Sequence, residues 1–181
     1  MTLGFYEKFP LNIHSVENFN STLSSKQLQQ RLIRVLYEIN RKEFSFEEVA
    51  NPTIPECKLI FEFGLADAEG FNYIDEEEIK KVRNLLGKEN LPTIDFFCAI
   101  RYYKGEKKKA LKFDYYFLRT AYGRDILEIQ VSHKKGPRYM SPEDLTLFIL
   151  NKTNETSNRK ILKKQPQVQH KDYREETNFH T

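Results

Sequence analysis

The stretch Thr93 to Met140, TIDFFCAIRYYKGEKKKALKFDYYFLRTAYGRDILEIQVSHKKGPRYM, decides the fold. Apolar and polar residues alternate through most of it, the period of a half-buried strand. It predicts three consecutive antiparallel strands, Ile94 to Tyr103, Ala110 to Arg119 and Asp125 to His133, joined by two turns. On one face the alternation places Phe96, Cys98, Ile100 and Tyr102, then Leu111, Phe113, Tyr115 and Phe117, then Leu127, Ile129 and Val131. That row reads as the core face. The other face then carries Phe97, Ala99, Arg101 and Tyr103, then Lys112, Asp114, Tyr116 and Leu118, then Glu128, Gln130 and Ser132. Such a mixed face suits charge pairing across strands. Its aromatics beside Arg101 and Lys112 also suit base stacking.

Outward from this meander the helices have clear starts. Ser24 with Gln27 makes a capping box before Leu28, Leu32, Val35, Leu36 and Ile39, and the helix should end near Asn40. Asp75 caps a second helix whose first turn, Glu76 to Glu78, matches the positive end of the helix dipole, with Gly87 as its stop. Ser141-Pro142 opens a third, packed through Leu145, Phe148 and Ile149. Ser45 to Val49 can nucleate only a turn before Pro52 and Pro55. Cys57 to Gly64 alternates as a further strand, and Leu65 to Ile74 reads as a loop. Leu11 to Val16 reads as a short strand or an arm laid on the core.

The order predicts an α+β fold: a mainly antiparallel sheet, the three-strand meander plus at least one further strand, with helices packed on one face. It is neither the alternating order of a Rossmann-like fold nor the βαββαβ order of an RRM. At 181 residues the expectation is a single domain over 1–151 and a polar, basic, disordered tail over 152–181. The formal net charge of +3 lies wholly in that tail, and the preceding residues are neutral. Two cysteines, Cys57 and Cys98, fall at inward strand positions and predict buried free thiols in a reducing compartment. With no secretory pattern and no long apolar run, the expected location is cytoplasmic, without membrane contact.

No stretch carries a catalytic motif, a metal spacing or a phosphate loop, so nothing argues positively for an enzyme, and no metal or cofactor is expected; scattered residues can still build a site. His14, His133, His170 and His180 have no metal-like spacing. Asp67, Glu69, Asn72 and Asp75 do not follow an EF-hand pattern. The sharper feature is charge. In an up-down-up meander the first turn, Lys104 to Lys109, and the exit, His133 to Arg138, lie at one end of the sheet. They bring together Lys104, Lys107, Lys108, Lys109, Lys134, Lys135 and Arg138, opposed there by Glu106 alone, with Arg101 and Tyr103 adjoining. Such a cluster attracts phosphates, and it also protects exposed turns from aggregation. The leading expectation is a binding or adaptor module for an anionic partner, nucleic acid or another polyanion. The alternatives are a protein-interaction subunit docking through its helices or N-terminal aromatics, and an enzyme on a phosphorylated small molecule. The last would need a pocket near His133, Arg138 and Arg101.

Overall fold

The computed structural model describes residues 3–51, 53–68, 70–105 and 112–166. The chain runs β1 (Ser15–Ser21), α1 (Ser25–Asn40), β2 (Glu43–Ser45), a 3-10 turn (Phe46–Glu48), β3 (Cys57–Asp67), β4 (Gly70–Tyr73) and α2 (Glu76–Leu86). It continues through β5 (Thr93–Lys104), β6 (Lys112–Gly123), β7 (Ile126–Lys135), α3 (Pro142–Asn154) and β8 (Leu162–Lys164). The strands form one antiparallel sheet in the order β2-β3-β5-β6-β7-β1-β8, with β4 paired to the far end of β3. This is the expected α+β architecture, with helices packed on a sheet.

The helix signals act as their chemistry predicts. The Ser24 hydroxyl accepts from the Gln27 amide, and the Gln27 side chain accepts from the Ser24 N–H. Asp75 and Ser141 cap α2 and α3 in the same way, each accepting from the amide three residues on. Leu28, Leu32 and Leu36 of α1 are buried with Phe61, Phe63, Phe96 and Ile100 of the sheet and with Leu145 and Phe148 of α3.

Asn40 does more than end α1. Its buried side chain donates to the carbonyls of Phe63 (3.0 Å) and Ile74 (3.3 Å) and accepts from the Phe63 N–H (2.7 Å). It satisfies the β3 backbone in the gap between the residues paired to β2 and those paired to β4.

Three expectations change. Residues 65–74, read as a loop, form a hairpin: β3 continues to Asp67 and β4 folds back on it. There Asp67 is spent on Lys81 (2.9 Å) and Asn72 (3.1 Å). The polar composition after residue 151 hides structure. The boundary at 151 falls inside α3, and Ile161 and Leu162 are buried where β8 pairs with β1; residues 167–181 of the expected tail lie outside the described residues. Asn154 fixes that return, accepting from the amides of Ile161 and Leu162. Finally, β6 presents the opposite face to that expected. Asp114, Tyr116, Leu118 and Thr120 are buried beneath the helices, and Phe113, Tyr115 and Phe117 lie on the outer face. Pairing fixes this parity: Ile100 faces Asp114, Cys98 faces Tyr116 and Phe96 faces Leu118, so the core row of β5 selects that row of β6. Cys57 and Cys98 are buried and unbridged. Among the described residues no helix is long and apolar enough to cross a membrane.

Candidate nucleic-acid interface

The inversion of β6 makes the outer face aromatic rather than charge-balanced. Phe97 of β5 and Phe113, Tyr115 and Phe117 of β6 lie side by side, because Phe97 pairs with Phe117 and Ala99 with Tyr115. The rings of Phe97 and Tyr115 stack at 5.9 Å, and those of Phe113 and Tyr115 at 6.2 Å with planes 3° apart. Ala99, directly opposite Tyr115, is the one small residue in the row. Phe113 is 37% exposed, whereas Phe117 is 7% exposed.

That gradient has a cause. The N-terminal segment crosses the Phe117 end of the face. Tyr6 stacks on Phe117 at 5.7 Å and meets Phe71 at 4.8 Å, and Phe9 packs edge-on against Phe117. Arg119 holds the segment down. It grips Asp95 with two bonds (2.7 and 2.9 Å), donates to the Tyr6 carbonyl and lies under the Phe5 and Phe9 rings. Asp95, with no exposure, also accepts from the Tyr6 N–H at 2.8 Å. Tyr6 and Phe9 are thus spent within their own chain. The open part of the face is Phe97, Tyr115, Phe113, Arg101 and Tyr103.

Charge reaches this open part from β7. Between Tyr115 and Tyr116 the β6–β7 register slips: Tyr115 pairs with Lys135 and Tyr116 with His133. Lys134 is the extra residue of this bulge, and the bulge re-aims it. Its ammonium lies 5.8 Å from the centre of the Phe97 ring and 5.4 Å from that of Phe117. Arg101 is paired with Glu62 on β3. Among the described residues, Lys104, Lys134, Lys135 and Arg138 pair with no carboxylate.

The exit turn is held from below by Asp114. This carboxylate has no solvent exposure and accepts four hydrogen bonds. They come from the Tyr102 hydroxyl (2.6 Å), His133 Nε2 (2.8 Å), the Arg138 N–H (2.7 Å) and the Tyr139 N–H (3.0 Å). The two consecutive N–H groups form a concave nest for an anion. Arg138 adopts φ 58°, a left-handed conformation unusual for a side chain of its size, and the carboxylate holds it there. Gly136, at φ +117°, passes so close to β6 that a Cβ would overlap the Phe113 carbonyl and the Asp114 carboxylate. Burial pushes the Tyr102 and Tyr116 phenols up, so both remain donors, Tyr102 to Asp114 and Tyr116 to the Met140 carbonyl. His133 is therefore a buttress of the turn, packed edge-on against Tyr116. No sequence signal announced Asp114, because an acid in an aromatic strand reads as an outward residue until its donors are in place.

Lys107, Lys108 and Lys109 lie outside the described residues. Of the rest, the two basic segments share an end of the sheet but are offset along it. Lys135 is level with Tyr115 and Ala99, and Lys104 lies five residues beyond Ala99 on β5. At about 3.3 Å per residue that offset is roughly 17 Å. The turn at Arg138 bridges it by carrying Tyr139 to Tyr102, with ring centres 5.1 Å apart. Tyr139, Tyr102, Tyr103, Lys104 and Lys112 line one depression there, with Ile54 and Cys57 on its other side. None of the described cavities is lined by His133, Arg138 or Arg101 together. Among the described residues no group of His, Cys, Asp or Glu is placed to hold a metal ion.

In comparisons with known proteins, no family model matches this chain, and no curated protein or solved structure does either.

Proposed function

We propose that the protein binds single-stranded nucleic acid on the open half of its outer sheet face. The observation that supports this most directly is the solvent-facing row of Phe97, Tyr115 and Phe113, crossed by Lys134 and continued by Arg101 and Tyr103. Unpaired bases stack on such rings whatever their identity, and ammonium groups beside the rings neutralise the phosphates between them. A duplex hides its base faces, so the platform favours single strands. Lys135 and Arg138, on a turn fixed by Asp114, extend the positive field along the same edge.

Fluorescence anisotropy with labelled oligothymidylate and oligouridylate tests the reading. Tyr115→Ala and Phe113→Ala should each weaken single-strand binding by about 5- to 100-fold, the range for loss of one stacked base. Duplex of the same length should bind more weakly than either strand. Binding that survives both substitutions unchanged, or that prefers duplex, would overturn it.

A further inference from the structure

We infer that the depression between Tyr103, Tyr139, Lys104 and Lys112 binds a terminal phosphate of the nucleic-acid strand, so that the protein recognises a strand end as well as an interior. This inference rests on the single-strand reading above. It adds a second site of different chemistry, round the end of β5 from the aromatic row.

Tyr103 joins the two sites. Arg101 pairs with Phe113, and Tyr103 lies two residues further along the same outer face of β5. Tyr103 is also a wall of the depression. From Phe97 to Tyr103 the strand rises about 20 Å. The other β5 and β6 residues that line the depression, Tyr102, Lys104 and Lys112, belong to the opposite, helix-side row, because Lys112 pairs with Tyr102 and precedes the buried Asp114 by two residues. A chain stacked on Phe97, Tyr115 and Phe113 and turning over the end of β5 at Tyr103 reaches the depression. There the surface changes from open sheet to a concave site. Tyr139, 41% exposed, rises from the exit turn and is braced edge-on by Tyr102.

The lining chemistry selects a terminal group over an internal one. Among the described residues no carboxylate lines the depression, and two ammonium groups do. Among the described residues neither Lys104 nor Lys112 has an acidic partner. Burial pushes the Cys57 thiol up, and the charge of Lys104 opposes that push. A terminal phosphomonoester carries about −1.5 to −2 charges at neutral pH and has three acceptor oxygens, against a single charge on an internal diester. Two ammoniums and the hydroxyls of Tyr103 and Tyr139 complement the former. The tyrosine rings can flank the last base or sugar. Asp114 lies behind Tyr102 and is fully engaged by its own donors.

The test uses the full-length protein and oligothymidylates of about ten nucleotides, within the usual single-strand site size. They are identical except for their ends: hydroxyl at both, phosphate at the 5′ end, or phosphate at the 3′ end. One phosphorylated form should bind about tenfold more tightly than the hydroxyl form, the gain expected from a pair of charge-assisted hydrogen bonds. Which form gains gives the polarity of the bound strand. Lys112→Gln and Tyr139→Ala should each remove that gain and leave the affinity of the hydroxyl form within about twofold. Equal binding of all three oligonucleotides would overturn the end site and leave the stacking face standing. A gain that persists in Lys112→Gln and Tyr139→Ala would overturn it as well. Failure of every oligonucleotide to bind would remove the reading on which it rests.

Discussion

His133 Nε2 lies 2.8 Å from Oδ1 of Asp114, a carboxylate shut off from solvent between the sheet and the turn that follows β7. The contact joins the two halves of the candidate interface. Asp114 belongs to the strand that displays Phe113 and Tyr115, and His133 to the strand that delivers Lys134 and Lys135. The same carboxylate holds the backbone of Arg138 and Tyr139. One buried acid therefore sets the position of the basic turn relative to the aromatic row.

Asp114→Asn should destabilise the fold by about 2–4 kcal/mol. The amide keeps the size of the side chain, but its nitrogen cannot accept, so at least one of four converging donors is left buried without a partner. Urea unfolding at neutral pH measures this. A loss below about 1 kcal/mol would show that the turn is held by other means.

Two glycines at positive φ should respond differently to alanine. Gly136→Ala should cost about 2–3 kcal/mol, because the added methyl meets the Phe113 carbonyl and the Asp114 carboxylate as well as a strained φ. Gly105→Ala, at φ +67° with open space around its Cβ, should cost only about 1 kcal/mol. Denaturant midpoints of the two variants check the contrast, and equal losses would contradict it.

Stability should fall as the solution is acidified through the histidine range. Burial, with smaller contributions from the charges of Arg138 and His133, holds the His14 imidazole below its ordinary value. Its Nδ1 also accepts the His133 N–H at 2.9 Å, which requires the ring to be unprotonated there. A base whose folded value is depressed favours folding above its unfolded value, about 6.5, and loses that contribution as pH falls through the folded value. NMR titration of His14 should therefore show a midpoint below about 6.5. His14→Gln, which retains an acceptor, should flatten the pH dependence of the denaturation midpoint. A His14 midpoint above the ordinary value would reverse the sign.

The paired substitution Lys134→Gln and Lys135→Gln should reduce the salt dependence of single-strand binding more than it changes the fold. Each phosphate contact contributes about 0.7 to the slope of log affinity against log salt on single strands, so removing two contacts should lower it by up to about 1.4. Anisotropy titrations across a salt series measure the slope. An unchanged slope would place the phosphates elsewhere on the protein.

Local structure was legible in the residues alone. Ser24, Asp75 and Ser141 start their helices because a side-chain oxygen before an apolar stripe satisfies free amides wherever it occurs. The alternation in β5 and β7 is one-sided, with Ile100 and Ile129 in rows that can only face a core, so their inner faces were legible. The facing of β6 was not legible there, because both its rows are rich in aromatics and parity follows from the neighbour's register; strand pairing set it. Contacts distant in sequence also set the bulge that turns Lys134 onto the rings, the N-terminal cover on Phe117 and the return of β8 to β1. The buried state of Asp114 belongs with these. A carboxylate can leave water only when donors meet it, and its four come from positions 102, 133, 138 and 139, which are brought together by strand pairing and not by the chain around Asp114.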